Sequence, residues 1–232
     1  MVKEKDRLFA VFGLGIFGLE ICKVLSEKGS KVIAVDKDQK LIDRAKDIVA
    51  QAVLIDSTDE NALRNAGLQD VDVAIVAIGE SIDGSILTTI LLKNLGVPNI
   101  IARAVSDVHA QVLQKIGATE VINISVEEGR RLAKRIISPE VVDMMPISKD
   151  QSITEMRIPA EFADKTLQEI NLRKKYHVNL VSVKRTTTAI DEVGNPVKKE
   201  EVFSPKPDEA LKANDILVVL GREDDIEKLK EL

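Results

Sequence analysis

The sequence predicts an α/β fold: a doubly wound six-stranded parallel sheet, followed by a linking helix and a small α+β C-terminal domain. Three observations predict it. Between residues 8 and 122, short β-branched runs alternate with longer helical stretches, the pattern of βαβ units. The first run is followed at once by Gly13-Leu14-Gly15-Ile16-Phe17-Gly18, a G-x-G-x-x-G that opens a helix and makes the sheet Rossmann-like. Beyond residue 141 the rhythm changes to isolated strand-like runs and short helices.

The six strands are read at 8–12, 31–35, 52–55, 73–78, 100–104 and 120–122. Several are apolar at consecutive positions, as strands covered on both faces must be. Helices are read at 17–28, 38–47, 59–66, 83–95 and 107–116. Most begin at Asp, which favours N-caps and first turns, and Gly29, Gly67, Gly96 and Gly117 supply left-handed stops. A further helix at 126–137 carries Leu132, Ala133, Ile136 and Ile137 on one face and Arg130, Arg131, Lys134 and Arg135 largely elsewhere, and ends at Ser138-Pro139. The last ninety or so residues hold strand-like 152–158, a short helix 166–173, strand-like 179–185, a Gly194-Asn195-Pro196 turn, strand-like 215–220 and a charged helix 223–232. The expected division is a nucleotide-binding domain at 1–125, a linking helix at 126–141 and a C-terminal domain at 142–232.

Composition excludes several functions. The 232 residues include 38 Asp+Glu against 33 Lys+Arg, a net charge of −5, which argues against a nucleic-acid partner. With 3% aromatics and no Trp, base-stacking platforms are missing as well. The longest apolar runs, 73–78 and 216–220, fall far short of the ~20 residues that span a bilayer. The opening Met1-Val2-Lys3-Glu4-Lys5-Asp6-Arg7 lacks the apolar stretch of a secretory signal, so a cytoplasmic location is expected. Cys22, His109 and His177 are too few and too scattered for a disulfide or a structural zinc site.

The chemistry concentrates at the glycine motif. Gly13 permits the tight turn, Gly15 lets a phosphate approach the backbone, and Gly18 lets the helix pack close to the sheet. The helix N-terminus then offers unpaired N–H groups to an anion. Asp36, at the end of the second strand, is placed to accept from ribose hydroxyls and to repel a 2′-phosphate, which favours NAD or an adenine nucleotide over NADP. Asp56-Ser57, Ile78-Gly79-Glu80 and Arg103 follow or end other strands and converge on the same crevice. Arg103 reads as a phosphate donor or as the partner of a carboxylate. Asp56 reads equally as an adenine or ribose ligand and as a cap for the next helix. A dehydrogenase would need a proton-exchanging His, Tyr or Lys near the nicotinamide. Both histidines read as surface or core residues, Cys22 as a packing thiol, and no Tyr-x-x-x-Lys pair exists, so a non-enzymatic role is expected, with an NAD-dependent oxidoreductase as the alternative.

The ordered set Val11-Phe12-Gly13-Leu14-Gly15-Ile16-Phe17-Gly18, Ile33-Ala34-Val35-Asp36, Asp56-Ser57-Thr58-Asp59-Glu60, Ala74-Ile75-Val76-Ala77-Ile78-Gly79 and Leu113-Gln114-Lys115-Ile116-Gly117-Ala118, with the linking helix and small second domain, resembles the cytosolic regulatory subunits of Trk/Ktr potassium uptake systems. Those proteins are built from an N-terminal and a C-terminal RCK (regulator of potassium conductance) domain. The resemblance covers essentially the whole chain. It implies a nucleotide-sensing protein that assembles through dimers into a higher ring, an octamer, beneath a potassium-translocating membrane subunit. It also implies nucleotide contacts at Gly13, Leu14, Gly15, Ile16, Phe17, Asp36, Lys37, Asp56, Ser57, Ala77, Ile78, Gly79 and Arg103, with AMP, ADP, ATP or NAD(H) as ligand. The helix at 126–137 would pack on a partner subunit, and helix 83–95, with Ile86, Leu87, Ile90 and Leu91, on an assembly surface or the core. Two positions depart from the pattern. Many relatives carry Arg where this chain has Ile16, and several carry Glu where it has Ser125, so poor discrimination of ATP from ADP, or a preference for AMP or NAD, is expected. In a mixed ring, a second RCK-type chain would supply the missing groups.

Overall fold

In a computed structural model, which describes residues 7–190 and 195–232, the chain divides into two compact units, one ending at Glu127 and the other beginning at Glu128. The opening segment 1–6 and Gly194 of the expected turn lie outside the described residues.

The first unit runs β1 (Leu8–Phe12), α1 (Ile16–Glu27), β2 (Lys31–Asp36), α2 (Gln39–Ala45), β3 (Gln51–Leu54), α3 (Glu60–Asn65), β4 (Val73–Val76), α4 (Ile82–Asn94), β5 (Asn99–Arg103), α5 (Asp107–Ile116) and β6 (Glu120–Ile122), and leads into α6 (Ile124–Ile137). All six strands pair in parallel, in the order β3-β2-β1-β4-β5-β6. Alternating side chains feed two cores. Ala10, Phe12, Ile33, Val35, Val76 and Ile100 pack with Leu63, Leu92 and Leu113 of α3, α4 and α5 on one face. Val11, Val32, Ala34 and Ile75 pack with Cys22 of α1 and Ile42 and Ala45 of α2 on the other. Continuous apolarity in β4, where all four residues are buried, follows from this double covering.

Local signals end the elements where expected. Asp38 and Asp59 cap α2 and α3 through their side chains, whereas Ser81 and Ser106 cap α4 and α5 and leave Asp83 and Asp107 in the first turns. The glycines at 29, 67, 96 and 117 all take positive φ. One strand is shorter than read: β4 stops at Val76, and residues 77–79 leave the sheet to border the crevice described below. The apolar surface of α4 is split. Ile86 and Leu91 join the core, while Ile82, Leu87 and Ile90 remain exposed.

The second unit is an antiparallel sheet in the order β10-β9-β11-β8-β7, from β7 (Val141–Pro146), β8 (Gln151–Arg157), β9 (Asn179–Ile190), β10 (Pro196–Phe203) and β11 (Ile216–Arg222), with short helices α7 (Leu167–Ile170) and α8 (Leu172–Tyr176) and the terminal α9 (Glu223–Lys230). Two of these strands are not among those read from the sequence. β7 contains Met144-Met145-Pro146, and β10 is an edge strand whose Lys198-Lys199-Glu200-Glu201 has no buried face to impose alternation. The single helix expected at 166–173 is two, because Asn171 turns left-handed (φ +51°) after a Thr166–Glu169 capping box has started the first. Met156, Phe162, Val183, Leu211, Leu217 and Ile226 form the core. Beside it Asp215, fully buried, receives Arg185 Nε at 2.8 Å and Nη2 at 2.7 Å.

Helix α6 buries none of its residues. Its polar side is tied to the second unit: Arg131 donates to Asp143 Oδ1 and Oδ2 at 3.0 and 2.7 Å, which holds the Asp143 carboxyl below its usual range, and Lys134 lies 3.6 Å from Glu223. Leu132, Ile136 and Ile137 are left exposed.

Candidate functional site

In the order 3-2-1-4-5-6 the chain reverses direction between β1 and β4, and the loops leaving those two strands open a crevice at the carboxyl edge of the sheet, the usual ligand position in open α/β folds. The glycine loop fills one side of it. Gly13 adopts φ +91° and its N–H donates to Val35 O at 2.9 Å; a Cβ there would press on Ile78 N and Ala77 C at 3.1 and 3.2 Å. Glycine is therefore required twice over, by its backbone angle and by the close approach of the β4 loop. At Gly18 a Cβ would be driven into the Gly13 carbonyl. Gly15 is different: nothing lies within 4 Å of its Cβ position, so the space above it is open.

Gly15 also stands at the N-cap of α1 without a side-chain cap, and the first turn carries no acidic residue. The leading N–H groups of a twelve-residue helix thus face that open space with the positive end of the helix dipole. Ile16 points to solvent at 96% exposure.

Asp36 has a role the spacing alone did not reveal. Its Oδ2 accepts from the Leu14 N–H at 2.7 Å and its Oδ1 from the Asp38 N–H at 2.9 Å. The carboxylate pins the glycine loop to the end of β2, and each oxygen keeps a further lone pair for a hydroxyl donor. Asp56 does not cap α3, which Asp59 does; instead its Oδ1 takes both the N–H and the hydroxyl of Thr58, at 3.0 and 2.7 Å, closing the turn after β3. Those two bonds, helped by the charge of Lys37, lower its pKa. Lys37 exerts the same pull on Asp83, whose pKa is lowered chiefly by the Ser81 hydroxyl, so the ammonium stands near one carboxylate after β3 and another in the first turn of α4. Ser57 Oγ meets Thr88 Oγ1 of α4 at 2.7 Å. Thr88 was not expected at the site, and its signal was a buried hydroxyl in an apolar helix.

Arg103, the last residue of β5, reaches back across the β4 loop. Its guanidinium lies against Gly79 and 5.7 Å from the centroid of the Phe17 ring in α1. Contacts thus link Gly13 to Ala77 and Ile78, Leu14 to Asp36, and Arg103 to both Phe17 and Gly79; Asp56 and Ser57 stand on the β3 side, with Lys37 near Asp56. The thiol of Cys22 and the imidazole of His109 are both buried in this unit. Burial pushes Cys22 up to about 11, and the His109 Nδ1 accepts from the Val105 N–H at 3.4 Å while desolvation lowers the imidazole's pKa.

Family models match both parts of the chain: the TrkA-N domain over residues 9–124 and the TrkA-C domain over residues 153–232. The chain is 40% identical over 223 residues to Ktr system potassium uptake protein C of Bacillus subtilis (strain 168), covering 96% of each protein. It is 32% identical over 232 residues to Ktr system potassium uptake protein A of Vibrio alginolyticus, covering 100% of each. Among solved structures, the GsuK channel bound to NAD superposes with a TM-score of 0.64 at 16% identity, covering 99% of this chain and 40% of that one, a likeness of fold. With both domain models matched in order and the Ktr proteins aligned over nearly their whole lengths, the chain belongs to the family of Ktr potassium uptake proteins built from a TrkA-N and a TrkA-C domain.

Proposed function

We propose that this chain is a nucleotide-sensing regulatory subunit of a potassium uptake system, which binds an adenine nucleotide or NAD(H) in the crevice and passes its state to a potassium-translocating membrane subunit. The observation that carries this reading is the pairing of an open, uncapped α1 N-terminus at Gly15 with a carboxylate, Asp36, anchored to the adjoining Leu14 N–H. Phosphate at the helix end and ribose at the carboxylate is the arrangement those groups suit. Leu14, Ile16, Lys37, Ala77 and Ile78 border the same ligand, with Asp56 and Ser57 on the β3 side. The names of its Ktr relatives support the potassium role, and solved structures of similar fold are described as bound to NAD and ADP.

Among the described residues no helix is long and apolar enough to cross a membrane. The names of the Ktr relatives support a potassium-translocating membrane partner, with this chain acting from the cytoplasmic side. Exposed Leu132, Ile136 and Ile137 on α6, beyond the nucleotide-binding domain, support self-association into dimers and a higher ring, homomeric or with a second RCK-type chain. Regulation is then a population shift: the ligand biases two assembly geometries by its difference in affinity for them, with couplings of ~1–3 kcal/mol being typical. With Ile16 exposed and Ser125 uncharged, the terminal phosphate of ATP gains no cation or metal-binding carboxylate from those positions.

Calorimetric titration with AMP, ADP, ATP, NAD and NADH tests the site. Binding of at least one, with ATP and ADP within tenfold of each other, is expected; ATP tenfold tighter would overturn the discrimination argument, and no binding at all would overturn the nucleotide reading. Co-expression with the membrane potassium subunit, followed by pull-down, tests the partner.

A further inference from the structure

Arg103 is half-buried, yet no carboxylate lies within 4 Å of it among the described residues. Arg131 and Arg185 show the alternative, each gripping an aspartate through two nitrogens. The position of its guanidinium is instead defined by two uncharged neighbours. One is the ring of Phe17, which is itself packed against the α1-side core. The other is the bare Cα of Gly79: a Cβ there would stand 2.8 Å from Nη1 and 3.1 Å from Cζ of Arg103. Gly79 is not among the glycines with positive φ, so its backbone angle does not demand glycine. What glycine supplies there is room for the guanidinium in its present position.

Resting on the nucleotide reading above, we propose that Phe17 and Gly79 are positioning residues that form a seat for Arg103, holding its unpaired guanidinium over the switch-point crevice as a phosphate clamp opposite the α1 N-terminus. The ring attracts the cation through its negative face without neutralising it, and the glycine leaves it room to lie flat. A carboxylate in either place would anchor the side chain equally well but would cancel the charge that a phosphate needs. A ligand need therefore displace no ion-pair partner to reach the arginine. It follows that Phe17 and Gly79 govern how the site reads phosphate and leave its reading of adenosine alone.

The test compares the affinities of ADP and adenosine for the full-length protein and three variants. Arg103→Gln removes a charge-assisted contact and is expected to weaken ADP about tenfold or more while leaving adenosine unchanged. Phe17→Leu keeps the apolar packing but loses the cation–π contact, and should weaken ADP about 2- to 5-fold, again sparing adenosine. Gly79→Ala meets only the mobile end of Arg103, so its thermal denaturation should match the parent while ADP weakens and adenosine does not. Adding Phe17→Leu to Arg103→Gln should cost nothing further, since the seat acts only through the arginine. If Phe17→Leu and Gly79→Ala keep the parental ratio of ADP to adenosine affinity, or weaken both ligands alike, the seat is overturned although nucleotide binding stands. A parent protein that binds none of AMP, ADP, ATP, NAD and NADH overturns the nucleotide reading itself.

Discussion

Asp36 joins the loop that shapes the site to the ligand proposed for it, and replacing it separates the two roles. In Asp36→Ala the Leu14 N–H, on a residue only 1% exposed, loses its acceptor at 2.7 Å. A buried donor left unsatisfied costs about 1–3 kcal/mol. Asp38, by contrast, is exposed, so its N–H passes to water at little cost. The expected loss is therefore about 2 kcal/mol, a drop in Tm of roughly 5–10 °C for a unit of this size, which leaves the sheet folded. Denaturation followed by circular dichroism reads this part. The second part is read by ligand: the parent should bind ADP more tightly than 2′,3′-dideoxy-ADP, and Asp36→Ala should abolish that preference. Asp36→Asn, which retains one acceptor, should recover part of the stability. A stability change below about 0.5 kcal/mol, the ordinary range of surface substitutions, would refute the loop anchor. An unchanged preference for the ribose hydroxyls would refute their placement at this carboxylate.

Glycine substitutions should split in the same way. Gly18→Ala forces a methyl into the Gly13 carbonyl and is expected to cost more than about 3 kcal/mol, seen as a lowered denaturation midpoint or loss of soluble protein. Gly15→Ala meets nothing in the fold and should denature like the parent while losing at least tenfold in nucleotide affinity, because its methyl occupies the approach to the helix end. His109 should make stability depend on pH. Its folded pKa is lowered by burial, so the unfolded chain takes up the proton first; stability is full above about 6.5, falls as pH drops below it, and levels off below the folded value. His109→Gln should flatten that fall between pH 7 and 5, and an unaltered profile would exclude His109 as its source. In the second unit, Asp215→Ala removes the two-bond partner of Arg185 and leaves it only the Glu209 ion pair at 3.7 Å, and should cost about 3 kcal/mol, measured as earlier proteolysis of that unit, whereas replacing both residues by apolar ones should restore much of it.

Period and punctuation carried most of the first unit. Six strands, their helices and the left-handed glycines are local features, set by residues within a turn or two of one another, and all are readable in order along the chain. The second unit was less legible where its determinants are remote. β10 is a strand because β9 pairs with it from Ile190↔Pro196 to Phe203↔Val183, and its Lys198-Lys199-Glu200-Glu201 carries no strand period of its own. The break at Asn171 depends on one residue turning left-handed, which an otherwise helical run does not announce.

At the site the same boundary holds. By itself the sequence determined that a glycine loop follows the first strand, that an aspartate ends the second, and that the whole chain resembles one family, because each of these is a matter of residue type at fixed spacing. Only the tertiary structure decided that Asp36 holds Leu14, that Asp59 and not Asp56 caps α3, that Leu87 and Ile90 stay outside while Ile86 and Leu91 turn in, and that Arg103 has an aromatic ring and a glycine for neighbours in place of a carboxylate. The physical reason is that a turn or a cap is closed by groups a few residues apart. The partner of a strand-end arginine is whatever the sheet order brings beside it, and here β4 lies between β1 and β5.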